Sequence, residues 1–574
     1  MNHYQPNTGD MAHLLFQVVR AQQQLLDLPK YADTDPALAR QVLEEAARFV
    51  AEVVAPLNQS GDAVGCRYQT GTVTTPPGFR AAYQAFWQGG WPTLATEQEH
   101  GGQGLALVLD ALLYEMLSAA NHAWTMAPAL LHGAYECLRH HAAAELQSRY
   151  LLKVASGEWL PTMCLTESHA GSDLGLVRTW AHAQADGSYR LDGTKIFISS
   201  GEHDLTDNIV HLVLARLPDS APGPKGLSLF LCPKLLPDGA RNALACERIE
   251  EKMGLHGSPT CVMRFDHATA WIIAQPGQGL NAMFVMMNSA RLHVALQGIG
   301  LLEAAWQKAD TYARQRRQMR APQRSADSTG PDLIGRHPAV RRILDTQRAW
   351  IDGGRVLAYQ TALELDIQKH HPDANRRKAA EYWCALVTPV MKSAFTQQAF
   401  SGASACLQVF GGHGYVRESG IEQIVRDVRV TMIYEGSNEI QAIDLLVRKV
   451  LADGGRGLGL VLDRIGGACD PDKPGDERLL GRIAALRGLT VRLVPLAIER
   501  SAFAYWVADD YLRAVALVLL DWAWMQITSA SAQDGSRWSV PAEALQRWVM
   551  PELAMRLAMM EQAMASDTDP DSCG

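Results

Sequence analysis

Four segments of this sequence carry residues whose types and spacing could do chemistry. The most informative is IYEGSNEIQ at 433–441, where Glu435 stands beside a glycine. A carboxylate that the fold removes from water has a raised pKa and can act as a general acid or base. In isolation, a Glu–Gly pair near a helix start is more typical of a favourable interaction with the helix dipole. The surrounding segments decide between these two interpretations.

A second segment, TESHAGSD at 166–173, combines hydroxyl groups with two small residues, Ala170 and Gly171. Small residues allow a ligand to approach the backbone, whose N–H groups can then donate to it. The segment therefore suits a flat heterocycle with polar edges. The alternative is an ordinary turn held by local hydrogen bonds from its own side chains.

Two further segments are GGHG at 411–414 and RQRRQMR at 314–320. The first follows an apolar helical stretch, and without context it is typical of a helix C-cap. The second is an arginine run, which more often forms a solvated helix face. Guanidinium groups also bind diphosphates in a bidentate manner, so this run is a candidate anion site.

Composition excludes several classes of function. The formal net charge of −8 argues against a general nucleic-acid binder, which needs an excess of basic surface. The ten cysteines form no CxxC pair and no Cys/His cluster, which predicts small buried thiols and no metal site. No secretory signal is visible, and the longest apolar run, 514–520, is too short to span a bilayer. We expect a cytoplasmic protein without stable membrane insertion.

The elements that must position these segments change character along the chain. Helical periodicity dominates the first part, and short segments rich in β-branched and aromatic residues follow it. Four of these read as strands: YRLDGTKIFISSG, NIVHLVLARL, GLSLFLC and TCVMRFDHATA. The sequence predicts an N-terminal helical domain, a β domain, a helical bundle and an additional helical domain, at 36–160, 161–278, 279–450 and 451–565. We also expect an ordered loop at 323–337 and a disordered tail, SDTDPDSCG.

Five motifs in order resemble the acyl-CoA dehydrogenase family over about residues 36–450. They are EQEHGGQG (97–104), MCLTESHAGSDLG (163–175), DGTKIFISSG (192–201), LQVFGGHGYVRE (407–418) and RDVRVTMIYEGSNEIQ (426–441). The resemblance implies an α+β fold that is mainly α. It consists of an N-terminal helical domain, a middle β-barrel domain and a C-terminal four-helix bundle, to which this chain adds a helical domain.

The resemblance also implies FAD as the cofactor and an acyl-CoA thioester as the substrate. Residues at matching cofactor positions are Met163, Leu165, Thr166, Gly171, Ser172, Phe197, Ser199, Arg316, Gln318, Gln408, Val409, Phe410, Gly411, Gly412, Ser437 and Glu439. Residues at matching substrate positions are Ser172, Asn288, Arg291, Tyr434 and Gly436. Phe197, Ser199, Gln318 and Asn288 depart from the residues most common in the family.

By resemblance, Glu435 is the base that removes the α-proton of the thioester. This C–H is far less acidic than the carboxylic acid formed, so the base needs help. Desolvation can raise the pKa of the carboxylate, and hydrogen bonds to the thioester oxygen stabilise the developing enolate. Each such donor is worth roughly 3–4 kcal/mol. Some relatives place the base on an earlier helix, where this chain has Ala290.

The length and the segment at 252–306 are similar to a bacterial subgroup that includes 3-methylmercaptopropionyl-CoA dehydrogenases. The family implies an electron-transferring flavoprotein as electron acceptor and a homo-oligomer, and the extra domain favours a dimer. One alternative is an alkylation-response flavoprotein that binds DNA through a basic C-terminal face. The block after 451 mixes acids and bases, which argues against it. Another is an oxidase, either an acyl-CoA oxidase or a nitroalkane oxidase, although nitroalkane oxidases use Asp as the base.

Overall fold

The computed structural model describes residues 3–32, 35–323, 330–500, 502–531 and 536–565. The predicted disordered tail lies outside the described residues, and so does the part of the predicted 323–337 loop at 324–329. The described remainder of that loop contains a short 3-10 helix, Ile334–Arg336.

Helices make up most of the described chain. The α-helices, α1 to α19, span Thr8–His13, Ala21–Leu26, Pro36–Phe49, Asn58–Val64, Phe79–Gln88, Leu107–Thr125, Leu131–His141, Ala144–Leu146, Leu152–Ala155, Gly279–Ala313, Pro338–His370, Ala374–Val409, Ile421–Val428, Asn438–Leu445, Arg456–Gly466, Pro474–Glu499, Phe503–Ala530, Ser536–Ala544 and Pro551–Ala565. The π-helical turns are Leu14–Val18, Val50–Val54, Gln147–Leu151, Leu446–Leu451 and Leu545–Val549. The other 3-10 turns are Pro29–Tyr31, Ala55–Leu57, Trp91–Thr93, Gln98–His100, Pro128–Leu130, Leu174–Leu176, Pro224–Gly226, Gly411–Tyr415, Arg417–Ser419 and Arg429–Met432.

The strands concentrate in the middle of the chain. Strands β1 to β9 span Arg67–Gln69, Thr72–Thr74, Leu160–Cys164, Trp180–Ala183, Tyr189–Ser199, Ile209–Arg216, Leu227–Pro233, Leu244–Ile249 and Thr260–Ile273. The four strand segments predicted from sequence correspond to β5, β6, β7 and β9. The hairpin β1–β2 interrupts a region that the sequence predicts as helical.

The chain divides into two compact units. The barrel unit comprises Arg48–Asp110 and Ala120–His293, and the bundle unit comprises Met1–Ala47, Ala111–Ala119 and Val294–Gly574. These units do not follow the four domain boundaries expected from sequence, because α3, α6 and α10 each contribute residues to both. The four boundaries remain a prediction.

A closed barrel forms the centre of the barrel unit. Strands β6, β4, β5, β9 and β7 pair in that order, and β7 pairs back to β6. Strand β3 runs parallel to β6 at Leu160–Cys164, and β8 pairs with β9. All residues of β6 and β7 are buried, which explains why both strands read as nearly continuous apolar runs. The interior contains Cys164, Cys232, Cys246 and Cys261, in agreement with the prediction of small buried thiols.

The long helices α11 and α12 pack against each other and form the centre of the bundle unit. Helix α17, from the extra C-terminal segment, packs on α11, α12 and α14 and is almost wholly buried from Tyr511 to Met525. A helix that is apolar all round belongs in a protein core. Among the described residues, no helix has the length and apolarity needed to cross a membrane.

Helix α12 contains Pro389, which has no N–H to donate to the carbonyl of Ala385 one turn earlier. The ammonium of Lys449 donates to that carbonyl at 2.6 Å instead. A lysine from a later segment therefore satisfies the acceptor that the proline leaves behind.

A buried ionic network holds the bundle unit together. Arg355, with no exposed surface, donates to Glu115 at 2.7 Å and lies 3.3 Å from Glu303. Arg348 pairs with Glu303 at 2.7 Å and with Asp352 at 2.6 Å. Burial alone would raise the pKa of Glu303, but the two arginines outweigh it and lower this pKa to about 2. Each charge in the network depends on its partners, because an unpaired buried charge is strongly unfavourable.

We predict that Arg355→Met lowers the free energy of unfolding by about 3–5 kcal/mol, because Glu115 and Glu303 lose a buried partner. The matched control is Arg547→Met, which removes an exposed pair with Glu543 on one helix and should change stability by less than about 1 kcal/mol. Urea denaturation of the two variants measures both values. Equal effects would show that the network contributes no more than a surface pair.

Candidate functional site

A β-bulge presents Phe197 at the surface of the barrel unit. The register of β5 against β9 shifts between Lys195 and Ile198, which leaves Phe197 outside the regular ladder. Its φ of +59° lies in the left-handed region, and 61% of its surface is exposed. Bulges often re-aim a side chain beside an active site, and a strained, exposed aromatic residue is a binding-site signal. The geometry suits stacking on a flat ring.

The loop that follows β3 is held beside this bulge by a buried ion pair. Lys195, with no exposed surface, donates to the carbonyl of Leu165 at 2.9 Å and to Glu167 at 2.9 Å. Glu167 also accepts from the backbone N–H and the hydroxyl of Thr179, at 3.0 and 2.6 Å. Burial would raise the pKa of Glu167, but Lys195 and these hydrogen bonds hold it below its usual value. Glu167 therefore remains an anion that anchors the loop.

Six of the seven predicted cofactor residues of the barrel unit, all but Met163, lie on the loop after β3 and at the end of β5. The N–H of Ile196 donates to the carbonyl of Thr166 at 2.9 Å, which joins the loop to the strand that carries Phe197 and Ser199. Gly171 and Ser172 are exposed on the same loop, and no heavy atom lies within 4 Å of a Cβ added to Gly171. Open space beside a glycine allows close approach of a ligand.

The remaining predicted residues of the barrel unit lie on two other elements. Met163 is half-buried on β3, where it pairs with Leu212 of β6. Arg291 is half-buried on α10, together with Asn288, whose side chain lies outside the described structure.

In the bundle unit, an open cleft of about 850 Å³ gathers seven predicted cofactor residues. Arg316 and Gln318 line it from the segment after α10, and Gln408 to Gly412 line it from the end of α12. The two segments are about ninety residues apart in sequence. Arg316 is exposed in the cleft, and Gly411 has a φ of +58° with no heavy atom within 4 Å of an added Cβ. A cation beside an open glycine turn suits a phosphate group.

Among the residues of this cleft that were not predicted from the sequence, three carry aromatic rings. Tyr312 stacks on Phe410 with ring centroids 4.4 Å apart, and its carbonyl accepts from the N–H of Arg316, just beyond the end of α10, at 2.9 Å. His337 lies 3.0 Å from the carbonyl of Gln318, and His413 lies 3.4 Å from the Tyr312 hydroxyl. The position of Tyr312, four residues before Arg316, is the sequence signal that could have identified it as a cleft residue. The stacked rings and Arg316 together fit a nucleotide that carries a diphosphate.

Glu435 lies in a strained turn just before α14. Its φ is +56°, a left-handed conformation that a residue other than glycine adopts at a cost of about 1–3 kcal/mol. Gly436 follows with a φ of +85°, so two consecutive residues are left-handed. Ser437 then caps α14 by accepting from the N–H of Ile440 at 3.5 Å. Strain of this kind persists only where the surroundings determine it, and it is common at active sites.

Charged and polar side chains surround this turn. Tyr434 donates to Gln297, and burial followed by the nearby Glu435 charge raises the pKa of Tyr434 well above its usual value. The Tyr434 phenol is therefore neutral. A hydrogen bond from Ser437 is the main reason that the pKa of Glu439 is lowered. Four of the predicted residues, Tyr434 to Ser437, thus lie on the turn that precedes α14, and Glu439 lies in the first turn of that helix.

Comparison with known proteins identifies the family. Residues 37–158, 162–268 and 277–450 match the N-terminal, middle and C-terminal domains of acyl-CoA dehydrogenases. The chain is 44% identical over 434 residues to the 3-methylmercaptopropionyl-CoA dehydrogenase of Ruegeria pomeroyi, which covers 75% of this chain and 73% of that protein. The chain belongs to the acyl-CoA dehydrogenase family. As an acyl-CoA dehydrogenase, it is an FAD-dependent oxidoreductase.

Two further proteins resemble this acyl-CoA dehydrogenase over most of its length. A broad-specificity linear acyl-CoA dehydrogenase of Mycobacterium tuberculosis is 35% identical over 484 residues, which is 81% of this chain and 78% of that protein. A solved acyl-CoA dehydrogenase complexed with FAD, from Bacillus anthracis, shares the fold with a TM-score of 0.74 at 19% identity. That likeness covers 98% of this chain and 92% of the other. The predicted fold class, including additional C-terminal helices, is confirmed.

We predict that Gly436→Ala destabilises this acyl-CoA dehydrogenase by about 1–3 kcal/mol, because an added methyl group would be strained at a left-handed φ. Its Cβ would also lie 2.6 Å from the Gln441 side-chain nitrogen. The control is Gly459→Ala in α15, where no heavy atom lies within 4 Å and alanine should stabilise the helix by roughly 0.5–1 kcal/mol. Thermal unfolding distinguishes the two. Equal melting temperatures for the two variants would contradict the strained turn.

Proposed function

We propose that this chain oxidises an acyl-CoA to the 2,3-enoyl-CoA, with Glu435 as the base that removes the α-proton. The observation that carries the proposal is the left-handed turn that presents Glu435 between Tyr434 and Gly436. When bound, FAD supplies the acceptor for the hydride that leaves the β-carbon, at its N5 position. A base must lie within hydrogen-bond reach of the proton it removes, and a rigid turn can meet this requirement.

The residues beside Glu435 have complementary proposed roles. The backbone N–H of Glu435 donates to the thioester oxygen and stabilises enolate charge as the proton leaves. Gly436 carries no side chain, which allows the substrate to approach the turn. Tyr434 packs by the acyl chain with its phenol neutral, because burial opposes its ionisation.

We propose that FAD binds through both groups of predicted residues. On the barrel unit, Met163, Leu165, Thr166, Gly171, Ser172, Phe197 and Ser199 contact the flavin. On the bundle unit, Arg316 and Gln318 bind the diphosphate of a neighbouring subunit's cofactor, and the turn at 408–412 contacts that cofactor. Ser437 and Glu439 complete the set. Ser172, Asn288 and Arg291 are proposed contacts of the CoA substrate.

Around the cleft, apolar side chains are unusually exposed. Met319 is 78% exposed, Tyr415 is 87% exposed and Val416 is 46% exposed. Exposed apolar groups around an open cleft are typical of a surface that another chain covers. This supports the proposal of a homodimer in which each cleft contacts the cofactor of the neighbouring subunit. We further propose a cytoplasmic enzyme of fatty acid metabolism that transfers its electrons to an electron-transferring flavoprotein.

The proposed substrates are 3-methylthiopropionyl-CoA and short, medium or long fatty acyl-CoAs. Support for the first is the identity of 44% to a relative named for that thioester. Support for linear chains is the identity of 35% to a broad-specificity linear acyl-CoA dehydrogenase. A panel of thioesters ranks them.

The DNA-binding alternative requires a basic surface on the additional helices at 451–565, so the pairing of their arginines tests it. Among the described residues, eight of them pair with carboxylates: Arg464 with Glu364, Arg482 with Asp521, Arg487 with Asp463, Arg492 with Glu561, Arg513 with Glu552, Arg537 with Asp10, Arg547 with Glu543 and Arg556 with Asp510. Paired arginines do not form the excess of basic surface that phosphate binding needs. This observation favours the dehydrogenase over a DNA-binding flavoprotein.

We predict that Glu435→Gln lowers the rate of flavin reduction by acyl-CoA by about 10²–10⁴-fold, because the amide cannot accept the α-proton. The purified holoenzyme is titrated anaerobically with the thioester panel while flavin absorbance is followed. The matched control is Glu381→Gln, a change at an exposed residue that pairs with Lys378 and should leave the rate unchanged. The proposed function fails if no thioester bleaches the wild-type flavin, or if Glu435→Gln bleaches as fast as the wild type.

We predict that Arg316→Ala weakens FAD binding by about 10–100-fold, because a charge-assisted hydrogen bond to a diphosphate is worth about 1.5–3 kcal/mol. The control is Arg314→Ala, two residues earlier, whose guanidinium pairs with Asp310 at 2.6 Å. Flavin fluorescence during titration of the apoprotein gives both affinities. Unchanged affinity in Arg316→Ala would show that this arginine does not bind the cofactor.

A further inference from the structure

Lys392 is a buried cation beside the turn that carries Glu435. It lies on α12 with no exposed surface, and its ammonium donates to the carbonyl of Gly436 at 2.8 Å. It also donates to the side-chain oxygen of Asn438 at 3.0 Å. Lys392 therefore connects α12 with the residue after Glu435 and with the first residue of α14.

Burying the ammonium of Lys392 costs free energy, which its contacts within the protein must compensate. Removing an ammonium from water is strongly disfavoured without compensating partners. The N-terminus of α14 adds to this, because the helix dipole favours an anion at that end and disfavours a cation. The hydrogen bonds to the turn offset part of this unfavourable free energy, and so does the nearby Glu439 carboxylate, whose pKa the charge of Lys392 helps to lower.

Other buried side chains hold the same turn. The side-chain nitrogen of Gln441 donates to the carbonyl of Glu435 at 3.1 Å and to that of Gly436 at 3.3 Å. The amide of Asn438 donates to the carbonyl of Ser393 at 3.2 Å and accepts from the Thr396 hydroxyl at 3.2 Å. Both carbonyls of the left-handed pair thus have side-chain donors.

Fixing these carbonyls restrains the backbone of Glu435 from its C-terminal side. The ψ of Glu435 determines where its carbonyl points, and the two held carbonyls lie in the peptide planes on either side of Gly436. On the N-terminal side of Glu435, the N–H of Tyr434 donates to the carbonyl of Val430 at 3.2 Å, and its phenol donates to Gln297. Lys392 and Gln441 thus oppose relaxation of the left-handed turn and hold the Cα that carries the carboxylate side chain.

We propose that Lys392, assisted by Gln441, is a positioning residue that holds Glu435 in the geometry needed to remove the α-proton. The inference rests on the proposed function of Glu435. Lys392 acts through the backbone, and its contribution belongs to the chemical step and not to substrate binding. Displacement of a reacting group by about 1 Å can lower a rate 10²-fold even when the change lies away from the chemistry.

The test compares Lys392→Met, which keeps the length of the side chain and removes its donor, with the wild-type holoenzyme. Stopped-flow reduction under anaerobic conditions gives the limiting rate of flavin reduction and the dissociation constant of the thioester. We expect the rate to fall about 10²-fold and the dissociation constant to change less than about threefold. The control is Lys308→Met, since Lys308 is half-buried and donates to a different carbonyl, that of Ser419, at 3.5 Å. The control should keep the wild-type rate.

Gln441→Leu is the second variant, and it decides the question if Lys392→Met does not fold. It should show the same separation, with a lower rate and an unchanged dissociation constant. A wild-type rate in the variants that fold would overturn the proposal. Parallel loss of flavin, thioester affinity and rate would also overturn it, because that pattern indicates a purely structural role.

Glu435→Gln, measured beside these variants, distinguishes failure of the positioning inference from failure of the proposed function. If Glu435→Gln is inactive while Lys392→Met and Gln441→Leu reduce flavin at the wild-type rate, the positioning inference is wrong and the proposed function stands. If Glu435→Gln itself reduces flavin at the wild-type rate, the proposed function fails, and the positioning inference fails with it.

Discussion

The left-handed backbone of Glu435 and Gly436 is the constraint that the surrounding residues of the bundle unit must satisfy. A residue with a side chain adopts such a backbone only when its neighbours supply enough free energy to hold it there. Here the neighbours are buried donors: Lys392 on α12 and Gln441 on α14. The α12 helix can present Lys392 because it is long and continuous, and the carbonyl freed by Pro389 is satisfied by Lys449.

In the barrel unit, a buried lysine likewise donates to a backbone carbonyl, on the loop that follows β3. Lys195 is fully buried and donates to a backbone carbonyl, that of Leu165, while Glu167 compensates its charge. The loop is thereby fixed next to the bulge that exposes Phe197. In each unit, a buried lysine restrains an irregular segment through a hydrogen bond to its backbone. Preorganised groups of this kind need little rearrangement during a reaction, which is why rigid support matters for catalysis.

Much of this arrangement could be predicted from the sequence, and the misses have physical causes. The four apolar segments that form β5, β6, β7 and β9 were recognisable by their β-branched residues, whereas β3, β4, β8 and the hairpin β1–β2 were not predicted as strands. Glu435 and seven of the residues that line the cleft were predicted through motifs, but a motif does not show the shape of the cleft that two segments about ninety residues apart form. The residues that hold the Glu435 turn, such as Lys392, could not be predicted for a different reason. A lysine in a helix usually reads as solvated, so neither the burial of Lys392 nor its contact with Gly436 could be inferred.

The central claim is that a proton leaves the α-carbon during flavin reduction, and an isotope effect tests it most directly. The wild-type holoenzyme is mixed in single turnover with the acyl-CoA that reduces it fastest, and then with the same thioester carrying deuterium at both α-positions. The account predicts slower flavin reduction with the deuterated substrate, because the C–H bond broken by Glu435 is part of the measured step. Equal rates for the two substrates would contradict it.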